Sequence, residues 1–96
     1  MPALHYIVRW PDGQELCCYS PSLVIQDLLA VSTDYTVPEF MQRVRQATSI
    51  ANERVHAKYG FFCSRANDQL VRLEALQATF VDDPEAQVRV LAFSPA

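Results

Sequence analysis

NERVHAKYGFFCSRANDQL, residues 52–70, has the pattern of two helices joined by a short turn. A helix reaches it from the N-terminal side and ends near Lys58 and Tyr59. The chain then turns on Gly60, and a second helix begins at Ser64. Glycine takes the left-handed backbone that follows a helix without a Cβ penalty, and Phe61 then stands where it can pack back on Val55. The Ser64 hydroxyl suits the free amides of a first helical turn. The stretch reads as a helical hairpin with Cys63 at its tip, after Phe61 and Phe62 and before Arg65.

Working outward, Thr36-Val37-Pro38-Glu39 has the form of a capping box, in which the threonine oxygen takes the amide three residues on and Glu39 reaches back. The helix it starts runs to about Tyr59. Phe40, Val44, Ala47, Ala51, Val55 and Tyr59 make its inward stripe, with Met41 and Ile50 at the edges and Arg43 among the residues turned to water. The second helix runs to about Phe80 with a stripe of Ala66, Leu70, Leu73, Leu76 or Gln77, and Phe80. Asp68 and Arg72 lie four apart in the order that favours an ion pair.

The flanks read as strands. Residues 4–10 alternate Leu4, Tyr6, Val8 and Trp10 with His5, Ile7 and Arg9. Pro11-Asp12-Gly13 is a three-residue hairpin turn with a bulge, and residues 14–19 return, with Leu16 and Cys18 facing one way and Glu15, Cys17 and Tyr19 the other. Residues 86–93 form a last strand with Val88, Val90 and Ala92 on one face and Leu91 and Phe93 on the opposite one. Residues 23–29 admit a short helix capped by the preceding Ser-Pro pair or an edge strand through Val24 and Ile25; the strand is slightly favoured. Residues 30–35 read as a loop.

These elements predict a single α+β domain over residues 1–96: a small antiparallel sheet, made of the N-terminal hairpin plus the C-terminal strand, packed against a two-helix hairpin. The hairpin's first strand is expected in the middle. Ile7, Cys17, Tyr19, Leu91 and Phe93 would leave an apolar outer face that a chain this small cannot cover, so a homodimer is expected.

The totals narrow the function. There are 96 residues, half of them hydrophobic, which allows one modest core. Eight basic against 11 acidic residues leave a net charge of −3 with no basic cluster, which speaks against nucleic acid and anionic membranes as partners. No apolar run is long enough to span a bilayer, and residues 1–10 lack the features of a signal peptide. A cytoplasmic protein with free thiols is expected.

The candidate ligand or thiol site is Cys63, Ser64, Arg65, Asp68 and Gln69 at the helix–turn–helix junction. Helix amides would favour a thiolate at Cys63. The structural alternative, which is preferred, is a thiol packed among Phe61, Phe62 and Val55. Cys17 and Cys18 face opposite ways on one strand and cannot jointly grip a metal, and no cysteine–histidine spacing marks a metal site. Neither a phosphate loop nor a dinucleotide fingerprint is present, so no cofactor is expected.

Four segments, RWPDG (residues 9–13), CYSPS (18–22), YTVPEF (35–40) and ERVHAKYGFFCSRANDQL (53–70), resemble a bacterial family of small nitrogen-starvation-response proteins encoded in nitrilase-1 gene clusters. The resemblance spans residues 6–93. Phe62 and Asn67 depart from the family pattern, which favours alanine and an apolar residue there. The resemblance implies a place in a nitrogen-linked pathway beside a nitrilase, as a non-catalytic accessory or regulatory partner of larger enzymes, and it carries over no catalytic residues. The alternative from another class is a small thiol-dependent enzyme or small-molecule-binding protein with its site at Cys63.

Overall fold

The computed structural model describes residues 3–60 and 64–95. Strand β1 (Leu4–Arg9) and strand β2 (Glu15–Ser20) form the expected hairpin, with Tyr6 opposite Cys18. Its turn closes with Gly13 N–H donating to the Trp10 carbonyl and Trp10 N–H donating to the Gln14 carbonyl. Gly13 has φ 88°, the left-handed conformation that this turn demands of its last residue. The Asp12 carboxylate accepts from Gln14 N–H at 3.0 Å, which gives it a structural role.

A short helix follows, α1 (Ile25–Leu28), where an edge strand was expected. Three serine-mediated bonds decide the outcome. Ser20 Oγ donates to the Ser22 carbonyl, Ser22 Oγ accepts from Val24 N–H, and Arg54 donates to the same Ser22 oxygen at 2.8 Å. They tighten the backbone into a turn before Val24, and Ile25 and Leu29 then drop into the core. Strand β3 (Thr33–Thr36) occupies what was expected to be loop. Only Tyr35 of its four residues is buried, so it shows almost no alternation.

Helix α2 (Val37–Tyr59) begins and ends as read. Thr36 Oγ1 accepts from Glu39 N–H, and Gly60 takes the left-handed position at φ 77°. The capping box is only half formed, because the Glu39 carboxylate is taken by Arg43 at 3.0 Å. Arg43 turns only partly to water. Its other nitrogen donates to the Leu28 carbonyl at 2.7 Å and its guanidinium lies 5.0 Å above the Tyr35 ring, so one side chain ties α1, β3 and α2 together. Met41 belongs to the centre of the buried stripe, whereas Tyr59, expected inside, is half exposed.

Helix α3 (Ser64–Thr79) runs antiparallel to α2. Arg45 reaches Glu74 and Gln77, and farther along Asn52 reaches Asn67. Ser64 is the first helical residue, and the packing expected of Phe61 lies outside the described residues. No helix among the described residues is long and apolar enough to cross a membrane.

Strand β4 (Gln87–Pro95) completes a four-stranded antiparallel sheet in the order β2-β1-β4-β3. The last strand does lie beside the first, and β3 adds an outer neighbour. A bulge corrects the expected faces of β4. Ile7 pairs with Ala92 but Val8 pairs with Val90, so Leu91 is the extra residue. Beyond it the alternation inverts: Phe93 turns onto the core side opposite Tyr6, and Ala92 goes to the outer side opposite Ile7. The core lies between this sheet and the helices, built from Leu4, Tyr6, Val8 and Trp10 against Phe40, Met41, Val44 and Leu73.

Candidate functional site

The first turns of α3 pack against β2, at the free edge of the sheet, and this contact organises the candidate site. Arg65, Gln69 and Arg72 recur at the spacing that lines one helix face. Gln69 stands at the centre. Its amide oxygen accepts from Tyr19 N–H at 2.6 Å, and its amide nitrogen donates to the Tyr19 carbonyl at 2.7 Å and to the Tyr6 hydroxyl at 3.5 Å. A side-chain amide thus pairs with an edge strand as a neighbouring strand would, satisfying both backbone groups of Tyr19. Replacing Gln69 with leucine leaves both groups without their partner, and the expected cost is about 1–3 kcal/mol. Urea unfolding measures it; an unchanged midpoint would show that water substitutes fully for the amide.

The Arg65 guanidinium carbon lies over the Tyr19 ring, 3.9 Å from its centroid, and His5 meets the same ring edge-on at 6.0 Å. With Cys17 and Arg72 these side chains enclose a shallow cleft of about 270 Å³. Cys17 is exposed and Cys18 is buried, and both are free thiols. Burial pushes the Cys18 thiol up to about 12, with the neighbouring Cys17 adding to the shift, while the charge of Arg72 and a hydrogen bond from Tyr6 oppose it. Burial also raises the Tyr6 hydroxyl well above its ordinary 10.0, followed by the charge of Cys18 and the hydrogen bond with it. The Tyr6–Cys18 pair is therefore neutral core, not a nucleophile with its base.

Of the residues expected at the junction, the structure brings Arg65 and Gln69 into this cleft. Ser64 and Asp68 are exposed and do not line it. Cys63, and with it the choice between a reactive and a packed thiol, lies outside the described residues. The ion pair expected between Asp68 and Arg72 does not form; Arg72 turns instead toward β2, where Cys18 feels its charge. His5, Cys17, Tyr19 and Arg72 are additions. The spacing of residues 65, 69 and 72 is a signal for Arg72, whereas nothing local in the sequence tells that β2 would be the strand beside α3. Among the described residues no group of three or more histidine, cysteine, aspartate or glutamate side chains is placed to hold a metal ion.

No curated protein matches the chain. No solved structure matches it either. A family model does match, that of "Nitrogen starvation-induced protein NitG", over residues 5–93. The match contains all four segments on which the nitrogen-starvation resemblance was read, as well as every described side chain of the cleft. The chain belongs to the family of the nitrogen starvation-induced protein NitG.

Proposed function

We propose that this chain is a non-catalytic accessory or regulatory protein of a nitrogen-starvation-linked, nitrilase-associated pathway, acting in the cytoplasm as a homodimer joined through the outer face of its sheet. The observation that carries the reading is that face. The helices pack on one side of the sheet, and of α3 the Arg65 side chain reaches round the β2 edge to Tyr19 on the other. On the other, Ile7 and Ala92 sit opposite each other beside half-buried Leu91, and none of the three belongs to the core. Two cross-strand ion pairs, Arg9–Glu15 and Asp34–Arg89, form a single charged row along one end of this apolar centre. An apolar patch bordered by polar groups suits a protein interface. The family's description, a nitrogen starvation-induced protein, supports the nitrogen-starvation link, and enzymes encoded alongside are the proposed clients of the dimer.

Light scattering on the purified chain at micromolar concentration should give a dimer mass. Ile7→Glu, which places a charge at the centre of the bare face, should give a monomer with an unchanged circular dichroism spectrum. A monomer mass for the unaltered chain overturns the dimer. For the accessory role, tagged chain recovered from nitrogen-starved cells should retain an enzyme of the cluster, and adding the purified chain should change that enzyme's rate. An enzyme rate indifferent to the chain overturns this part.

A further inference from the structure

We propose that the cleft between α3 and the edge of β2 binds a small oxyanion, carboxylate or phosphate, held by Arg65 and Arg72. The proposal stands apart from the accessory reading and does not rest on it.

The argument begins with charge pairing. In a chain with 11 acidic residues against eight basic ones, arginines have carboxylates available, and Arg9, Arg43, Arg45 and Arg89 each hold one within 3.5 Å. Arg54 holds none either but donates to Ser22 Oγ; Arg65 and Arg72 hold none among the described residues, and these two line the same cleft, which contains no acidic side chain. Two cations of an acidic protein, left without counter-charges and brought to one concave place, create a local positive field that a mobile anion would neutralise.

Geometry then restricts the anion. Arg65 lies over the Tyr19 ring, a contact that holds the guanidinium at the cleft, where its N–H groups can make forked contacts with a carboxylate or phosphate. Arg72 stands seven residues on, about 10 Å along the helix axis, two turns away on the same face. Gln69, between them, spends its amide on Tyr19 and Tyr6 and so forms a fixed wall of the cleft. His5 adds a ring that can donate from the opposite side. A volume of about 270 Å³ falls just below the roughly 300–1,000 Å³ typical of sites for drug-sized ligands. The ligand is accordingly a small organic acid or a phosphate and not a nucleotide.

The test is calorimetric titration at constant ionic strength with two probes, succinate and inorganic phosphate, against the unaltered chain, Arg72→Gln and Arg72→Glu. Arg72 makes no described contact that holds the fold together, so both variants should keep the unaltered melting temperature. At least one probe should bind the unaltered chain with millimolar or tighter affinity, about 10-fold or more weaker in Arg72→Gln and weaker still in Arg72→Glu. Binding of only one probe supports the site and assigns its chemistry. Amide chemical shifts should move in the first turns of α3 and in β2. Failure of both probes to bind the unaltered chain overturns the proposal. So does binding that is equal in all three proteins, or shifts that fall elsewhere. A monomeric chain that binds the anion would refute the dimer and leave this site standing.

Discussion

Trp10→Ala should remove about 3–5 kcal/mol of stability, a large share of the roughly 5–15 kcal/mol that a domain of this kind holds. Trp10 follows β1 directly and is 1 % exposed. Phe40 of α2 meets its ring edge-on at 5.6 Å, and Phe80, just past α3, stacks on it at 6.0 Å and 17°. One indole therefore joins the sheet to both long helices, and truncation empties a space that three elements share. Each aromatic pair adds about 0.5–1.5 kcal/mol beyond the area it buries. Trp10→Phe should cost distinctly less. It fills much of the space, and it removes an indole N–H that is buried with no acceptor among the described residues. Urea unfolding followed by circular dichroism gives both values. A loss below about 1 kcal/mol for Trp10→Ala would mean that the two phenylalanines close over the gap.

Stability should also fall steeply in alkali. The Cys18 thiol titrates at an ordinary 9.0 when unfolded and at about 12 when folded. Between those values the unfolded chain has lost a proton that the folded chain keeps, so rising pH favours unfolding. The contribution is intact below pH 9 and is lost as pH climbs toward 12, on the order of 1 kcal/mol per pH unit. Tyr6 adds a second proton of the same sign above pH 10.0. Urea midpoints at pH 8 and pH 10.5 should differ clearly in the unaltered chain and much less in Cys18→Ala. Tyr6→Phe should remove the part that begins above pH 10. A Cys18→Ala protein with an undiminished alkaline loss would locate the effect elsewhere.

What was legible in the sequence was what local chemistry determines. Thr36, Pro38 and Gly60 delimit α2 because caps and left-handed turns act within a few residues, and Pro11-Asp12-Gly13 fixes the first hairpin for the same reason. The strand β3 was missed because its four residues bury one side chain and make sense only beside β4, fifty positions later. The choice between helix and strand at α1 stayed open, with a lean to strand, because the Ser22 oxygen that organises its start is held by Arg54, far along the chain. The bulge at Leu91 leaves no local mark, and it moved Phe93 from the outer face to the core. The site was half legible on the same principle. Arg65 and Gln69 follow the tip of the helical hairpin and drew attention by position, while His5, Cys17 and Tyr19 reach the cleft only through tertiary packing.

The strand order has a consequence for the way this protein is made. Strand β1 is made before the other strands of the sheet and has β2 within reach at once, but its other edge waits for residues 87–95. Strand β3 waits for the same residues, since β4 is its one neighbour in the sheet. Until residues 87–95 emerge, the nascent chain carries two unpaired strand edges that β4 will join. The sheet therefore closes only once β4 is made, and a chain interrupted before Gln87 would present both edges to other nascent copies.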